Sequence, residues 1–184
     1  KGGALEVPDG DAVVPIANKM METIDHVIAS QDWHPPDHLS FASNHPGKQV
    51  EDIVEVNGLN QILWPDHCVQ DTKGAEFHPD LNAEKIDKVV KKGTVKKFDS
   101  YSAFFDNGHE NKTELDDYLK EKGIDELTIM GLATDFCVKF TVIDALNLGY
   151  KVKVVSDGCR GIDLNKRDIL NALDEMENGG AKII

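Results

Sequence analysis

From residue 112 to the C-terminus, helical and strand patterns alternate at short spacing, and this alternation limits the fold more than any other feature. Residues 112–122 carry a helical pattern closed by Gly123, and Leu127-Thr-Ile-Met130 reads as a strand. A helix follows over residues 138–148, stopped by Gly149. Then come the strand Val152-Lys-Val-Val155, a helix over 165–176 and a last strand at Ala181-Lys-Ile-Ile184. Strands separated by helices do not close into hairpins, so the pattern predicts an α/β domain with a mainly parallel sheet. The first half adds a helix from Val13 or Val14, with Pro15 tolerated in its first turn and Ile16, Met20 and Ile24 as its apolar face. Strands are expected at His26-Val-Ile-Ala-Ser30 and Ile86-Asp-Lys-Val-Val90, and a hairpin is expected to turn at Asn57-Gly58. No linker, repeat or low-complexity tract interrupts the 184 residues, which predicts one domain over 1–184.

In open parallel sheets, sites form outside the carboxyl ends of the strands. Asp32, Lys92 and Cys137 each follow an expected strand, so the topology can bring them to one edge. Cys137 ends the turn Gly131-Leu-Ala-Thr-Asp-Phe-Cys137, where a strand feeds a helix. Unpaired N–H groups and the helix dipole at that end favour a thiolate, and Thr134 and Asp135 are capping residue types. Taken alone, Cys137 reads equally well as a buried structural cysteine. Lys92 belongs to a lysine-rich run that reads as a solvated face, or it is the cation that holds the thiolate. Asp32 and His34 are two apart on extended chain and leave the same face. A divalent ion needs one or two further ligands there, for which His38 and His67 are the candidates. Histidines with one carboxylate suit zinc, iron or manganese. Cys68, next to His67, should point the opposite way and be structural, and Trp64 and Phe41 read first as packing residues.

Composition removes several function classes. Lysine plus arginine number 20 and aspartate plus glutamate 33, a formal charge of −13, so a phosphate backbone is an unfavourable partner. No apolar run approaches the roughly 20 residues of a membrane helix, and no signal-peptide pattern is present. Three cysteines do not make a secreted disulfide framework, so a reducing, cytoplasmic setting is expected.

Six separated motifs then stand in one order: Gln31-Asp-Trp-His34, Asp37-His-Leu-Ser-Phe41, Trp64-Pro-Asp-His-Cys68, Gly74-Ala-Glu-Phe-His-Pro79, Lys92-Gly93 with Tyr101-Ser-Ala-Phe104, and Gly131 to Cys137. With them the sequence resembles the nicotinamidases (pyrazinamidases), a branch of the isochorismatase-like cysteine hydrolases. The pattern around Lys92 and Tyr101 looks closer to the eukaryotic branch. The resemblance implies a three-layer α/β/α fold and an amidase that converts nicotinamide to nicotinic acid and ammonia in pyridine-nucleotide salvage. It implies Cys137 as nucleophile and Lys92 as its catalytic partner. Asp32, His34 and His67 would be ligands of one divalent ion, zinc first, with His38 a fourth ligand as in some members. Trp64 would line the nicotinamide pocket together with Leu132 and Ala133. A cis peptide between Leu132 and Ala133 would turn the N–H groups of Ala133 and Cys137 toward the substrate oxygen.

One departure stands out. The family's general base is an aspartate at the end of a first, central strand just before Gly-Gly-Ala-Leu. Here that motif begins at Gly2, so base, strand and a pocket phenylalanine are expected ahead of residue 1, and Asp9 and Asp11 lie on the wrong side of it. The rivals are another amidase or an isochorismatase on the same fold, a branch that lacks the cysteine, and a non-catalytic binder that has lost the base. Oligomeric state, a homo-oligomer included, is left open by the sequence.

Overall fold

In the computed structural model, which describes residues 2–184, the first regular helix is Val13–Met20 (α1), with Pro15 in its first turn. Val13 and Val14 are its buried residues, and Ile16 and Met20 are half-buried. Ile24 is exposed, because the helix ends at Met20 and cannot carry the apolar pattern further. Ile28–Asp32 (β1) follows, then the hairpin strands Ile53–Val56 (β2) and Leu59–Ile62 (β3). Asn57 and Gly58 both have positive φ, 51° and 78°, the backbone of the tight primed turn that Asn-Gly favours.

Lys88–Lys92 (β4) pairs with β1 in parallel, placing Lys92 opposite Asp32. Both strands run two residues later than the sequence pattern predicts. Pairing sets their ends, and it extends through the polar residues Gln31, Asp32, Lys91 and Lys92 that propensity alone leaves out. Leu115–Glu121 (α2) is shorter than expected. Lys112 is engaged in an antiparallel bridge with Phe105, and the Thr113 hydroxyl accepts the Leu115 N–H (3.1 Å) while donating to the Ala103 carbonyl (2.6 Å).

The C-terminal half follows the predicted alternation: Glu126–Leu132 (β5), Lys139–Asn147 (α3), Lys151–Arg160 (β6), Asp168–Asn178 (α4) and Lys182–Ile183 (β7). β5, β6 and β7 form a parallel sheet in that order. Among the described residues, the parallel sheet therefore stands in two sections, β1–β4 and β5–β6–β7, with the β2–β3 hairpin apart. α1 packs on β5 and β6, while α3 and α4 pack on each other and on β6 and β7.

Helical spacing explains the core. Val138 just before α3 continues the face of Val142 and Ala145 within it, Ala172 and Met176 share one face of α4, and Val152 and Val154 one face of β6; all are buried. Removing a side chain such as Val142 from water contributes roughly 1.5–3 kcal/mol. Cys159 is part of this core, with its thiol pushed up by burial. No helix among the described residues is long and apolar enough to cross a membrane.

Candidate active site

The ends of β1 and β5 meet a cavity of about 340 Å³, lined by Asp32, His34, Trp64, His67, Ala133 and Cys137 among others, with the end of β4 behind Asp32 and Cys137. Lys92, the last residue of β4, is buried, and its ammonium is gripped from three sides. It stands 2.5 Å from Asp32 Oδ1, donates to the Ser100 carbonyl at 2.6 Å and lies 3.3 Å from Cys137 Sγ. Burial works against its charge, but Asp32 and then Cys137 outweigh it and hold Lys92 above the usual lysine value. The same balance operates at Asp32, where burial disfavours the carboxylate while Lys92 and His34 prevail and lower its pKa. The lysine run is thus split in function, with Lys91 exposed and Lys92 directed into the site.

Cys137 lies in a π-helical turn, Thr134–Val138, between the end of β5 and α3. The Ala133 carbonyl accepts the N–H groups of Phe136 (3.1 Å) and Val138 (3.0 Å) on either side of Cys137. The Leu132–Ala133 peptide is cis, as the resemblance implies. Neither Thr134 nor Asp135 caps the helix. Asp135 instead reaches across to residues 162 and 163 after β6, accepting their N–H groups. Burial pushes the Cys137 thiol up to about 11 against the opposing pull of Lys92. Burial thus opposes the helix terminus and the Lys92 cation, both of which favour the ionised sulfur.

Asp32, His34 and His67 bring one ligand atom each within 4.8 Å of one another. The ring Nδ1 of His34 meets the Gly93 carbonyl at 2.8 Å, and that of His67 meets the Pro65 carbonyl at 2.7 Å. A carbonyl can only accept, so each Nδ1 carries a proton and Nε2 is the ring nitrogen left to face an ion. Burial lowers the His34 pKa to about 4, which keeps that ring neutral. A Cβ on Gly93 would come within 2.3 Å of the His34 ring, so only glycine allows the strand end this close. Imidazoles held by carbonyls beside one carboxylate are the donor set of a borderline divalent ion.

His38 lies behind this trio, its ring 4.4 Å from that of His34. Its Nδ1 meets Ser40 Oγ at 2.7 Å and its Nε2 meets the Phe98 carbonyl at 3.3 Å, so both nitrogens are engaged. It forms a separate group with His34 and Asp99. Phe41, fully buried, packs edge-on against His34 and against His67. Cys68 has φ 46°, so the chain there is not extended; its side chain lines the cavity rather than pointing away, although it does not join the ligand group. Burial pushes its thiol up to about 12.

Trp64 is buried and donates its indole N–H to Tyr101 OH at 3.2 Å. Phe136 stands edge-on to both Trp64 and Tyr101, and Leu132 completes the wall. Phe136, Asp99, Ile162 and the carbonyl of Ser100 escaped sequence reasoning. A backbone carbonyl leaves no trace in residue identity, and Ile162 arrives from a loop distant in sequence.

A family model described as an isochorismatase domain matches residues 1–184. The chain belongs to the isochorismatase family. It is 53% identical over 186 residues to the nicotinamidase of Escherichia coli, covering 99% of this chain and 87% of that protein. The structure of the yeast nicotinamidase bound to the inhibitor nicotinaldehyde superposes with a TM-score of 0.92 at 31% identity, covering 100% of this chain and 92% of that one. The pyrazinamidase of Pyrococcus horikoshii in complex with zinc gives 0.79 at 35%, covering 100% and 90%. Overall identity is thus higher to the Escherichia coli enzyme than to the yeast one, whatever the local pattern at Lys92 and Tyr101 suggests.

Proposed function

We propose that this isochorismatase-family chain is a nicotinamidase, hydrolysing nicotinamide to nicotinic acid and ammonia by way of a thioester on Cys137. The observation that carries the reading is the placement of Cys137 Sγ 3.3 Å from Lys92 Nζ, in one cavity with the Asp32–His34–His67 trio and an aromatic wall. Asp32, His34 and His67 are assigned as ligands of one divalent ion, zinc first; a bond from His38 would require its Nε2 to give up the Phe98 carbonyl. When bound, the ion supplies a Lewis-acid anchor for the pyridine nitrogen.

The remaining work falls to the chain. The wall of Trp64, Tyr101 and Phe136 holds a flat ring and shields it from water. Cys137 sulfur attacks the amide carbonyl carbon, and the N–H groups of Ala133 and Cys137 are assigned to the oxygen that gains charge. The C–N bond breaks with the proton delivered to nitrogen, ammonia leaves, and water cleaves the thioester to return the thiol and the acid. Because burial holds the Cys137 proton tightly, the attack requires a base. The aspartate that the resemblance assigns to this task, ahead of Gly2, lies outside the described residues.

Ammonia release from nicotinamide, with and without a chelator, tests the reading. Cys137→Ala is expected to abolish release while retaining metal. Unchanged release in that variant would remove the nucleophile, and metal-loaded protein that releases no ammonia would favour a non-catalytic binder.

A further inference from the structure

The turn that presents Cys137 needs a second attachment besides its own helix, because a π-helical start is an irregular one. Asp135, two residues before Cys137, is buried. Its Oδ1 accepts the Ile162 N–H at 3.0 Å and its Oδ2 the Asp163 N–H at 2.7 Å. Among the described residues no cation pairs with this carboxylate, so two charge-assisted bonds to backbone stand in for solvent. The approach is close: a Cβ on Gly161 would lie 2.9 Å from Asp135 Oδ1 and 2.4 Å from Ile169 Cγ1. The flanking strands resume pairing there after a register shift between Ile129 and Gly131, with Gly131 opposite Cys159 and Leu132 opposite Arg160. Ile162, whose N–H is held, is itself a wall of the cavity.

We infer that Asp135 is a positioning residue for the hydrolysis, a clamp that sets the Ala133–Cys137 turn against the loop at Ile162. Through it, the nucleophile and the opposite wall of the cavity keep one spacing. The role rests on the nicotinamidase reading for its turnover consequence, but not for its geometric one.

Asp135→Asn separates positioning from bulk. The amide has the same shape, yet it replaces one acceptor oxygen with an NH₂ that faces a backbone N–H. With nicotinamide and metal-loaded protein, kcat is expected to fall about 10- to 100-fold with KM little changed. The second readout needs no substrate: the rate of Cys137 alkylation by iodoacetamide, per mole of folded protein by circular dichroism, should change in the same variant. Gly161→Ala, which pushes the loop from the same oxygen, should reproduce both effects, and the double variant should be no worse than the more impaired single one. Unchanged kcat and alkylation rate in folded Asp135→Asn overturn the inference, as does a loss that merely tracks the unfolded fraction. If wild-type protein releases no ammonia, the alkylation arm alone decides the clamp.

Discussion

A buried ammonium must be met by several partners at once, and Lys92 is met by Asp32, the Ser100 carbonyl and Cys137. Truncating one member of such a pair leaves the other charge buried and uncompensated, which typically costs about 3–5 kcal/mol. Lys92→Ala is therefore expected to lose stability of that order in urea unfolding as well as its turnover. An unchanged midpoint would show that Asp32 is satisfied without it. By residue type alone, sequence reasoning leaned toward a solvated face for Lys92, since its neighbour Lys91 has the same composition context and faces solvent. Only the strand register, Asp32 opposite Lys92, separates them. Asp32 and His34 were legible because strand alternation puts both on one face. Asp135 was misread as a cap because its partners, the N–H groups of Ile162 and Asp163, lie far along the chain.

α2 illustrates how an element is fastened. Asp116 accepts the Tyr150 hydroxyl at 2.8 Å and the Lys120 ammonium at 2.7 Å, tying the helix to the residue just before β6. Burial raises the pKa of Asp116, but the bonds from Lys120 and Tyr150 outweigh it and leave the carboxyl below its usual value. A carboxyl with a depressed folded pKa stabilises the fold above its unfolded pKa, and that contribution is lost as pH falls through the folded value. Tyr150→Phe should cost about 1 kcal/mol at neutral pH. The gap between wild type and variant should narrow below about pH 4. A pH-independent gap in thermal unfolding would assign the cost to the hydroxyl's other contact, the Asp116 backbone carbonyl at 3.5 Å, which does not titrate. At this scale the sequence pattern was a good guide to the C-terminal alternation and a poorer one to strand ends, where pairing carries polar residues into β1 and β4.

For the molecule as a whole, an ion held by the proposed trio would act on stability as well as on substrate binding. The trio joins β1 through Asp32 with the loops of His34 and His67, and Gly93 after β4 holds His34. A ligand that binds only the folded state stabilises it by about 2.7 kcal/mol at a hundredfold excess over Kd. Zinc should therefore raise the melting temperature of the wild-type protein and leave the His34→Ala/His67→Ala double variant unmoved. Gly93→Ala should demand about 10- to 100-fold more zinc for the same shift, because its Cβ displaces the supporting geometry of His34. Equal shifts in all three proteins would place the ion elsewhere. By itself, the sequence determined the α/β class, the hairpin at Asn57-Gly58 and the residues able to do chemistry, because periodicity, turn chemistry and side-chain type are local properties. The tertiary structure alone decided that burial opposes Lys92 at the Cys137 thiol, that both His38 nitrogens are engaged, and that Asp135 bridges two loops. Each of these depends on burial or on a partner many residues away, and neither is written in the spacing of nearby residues.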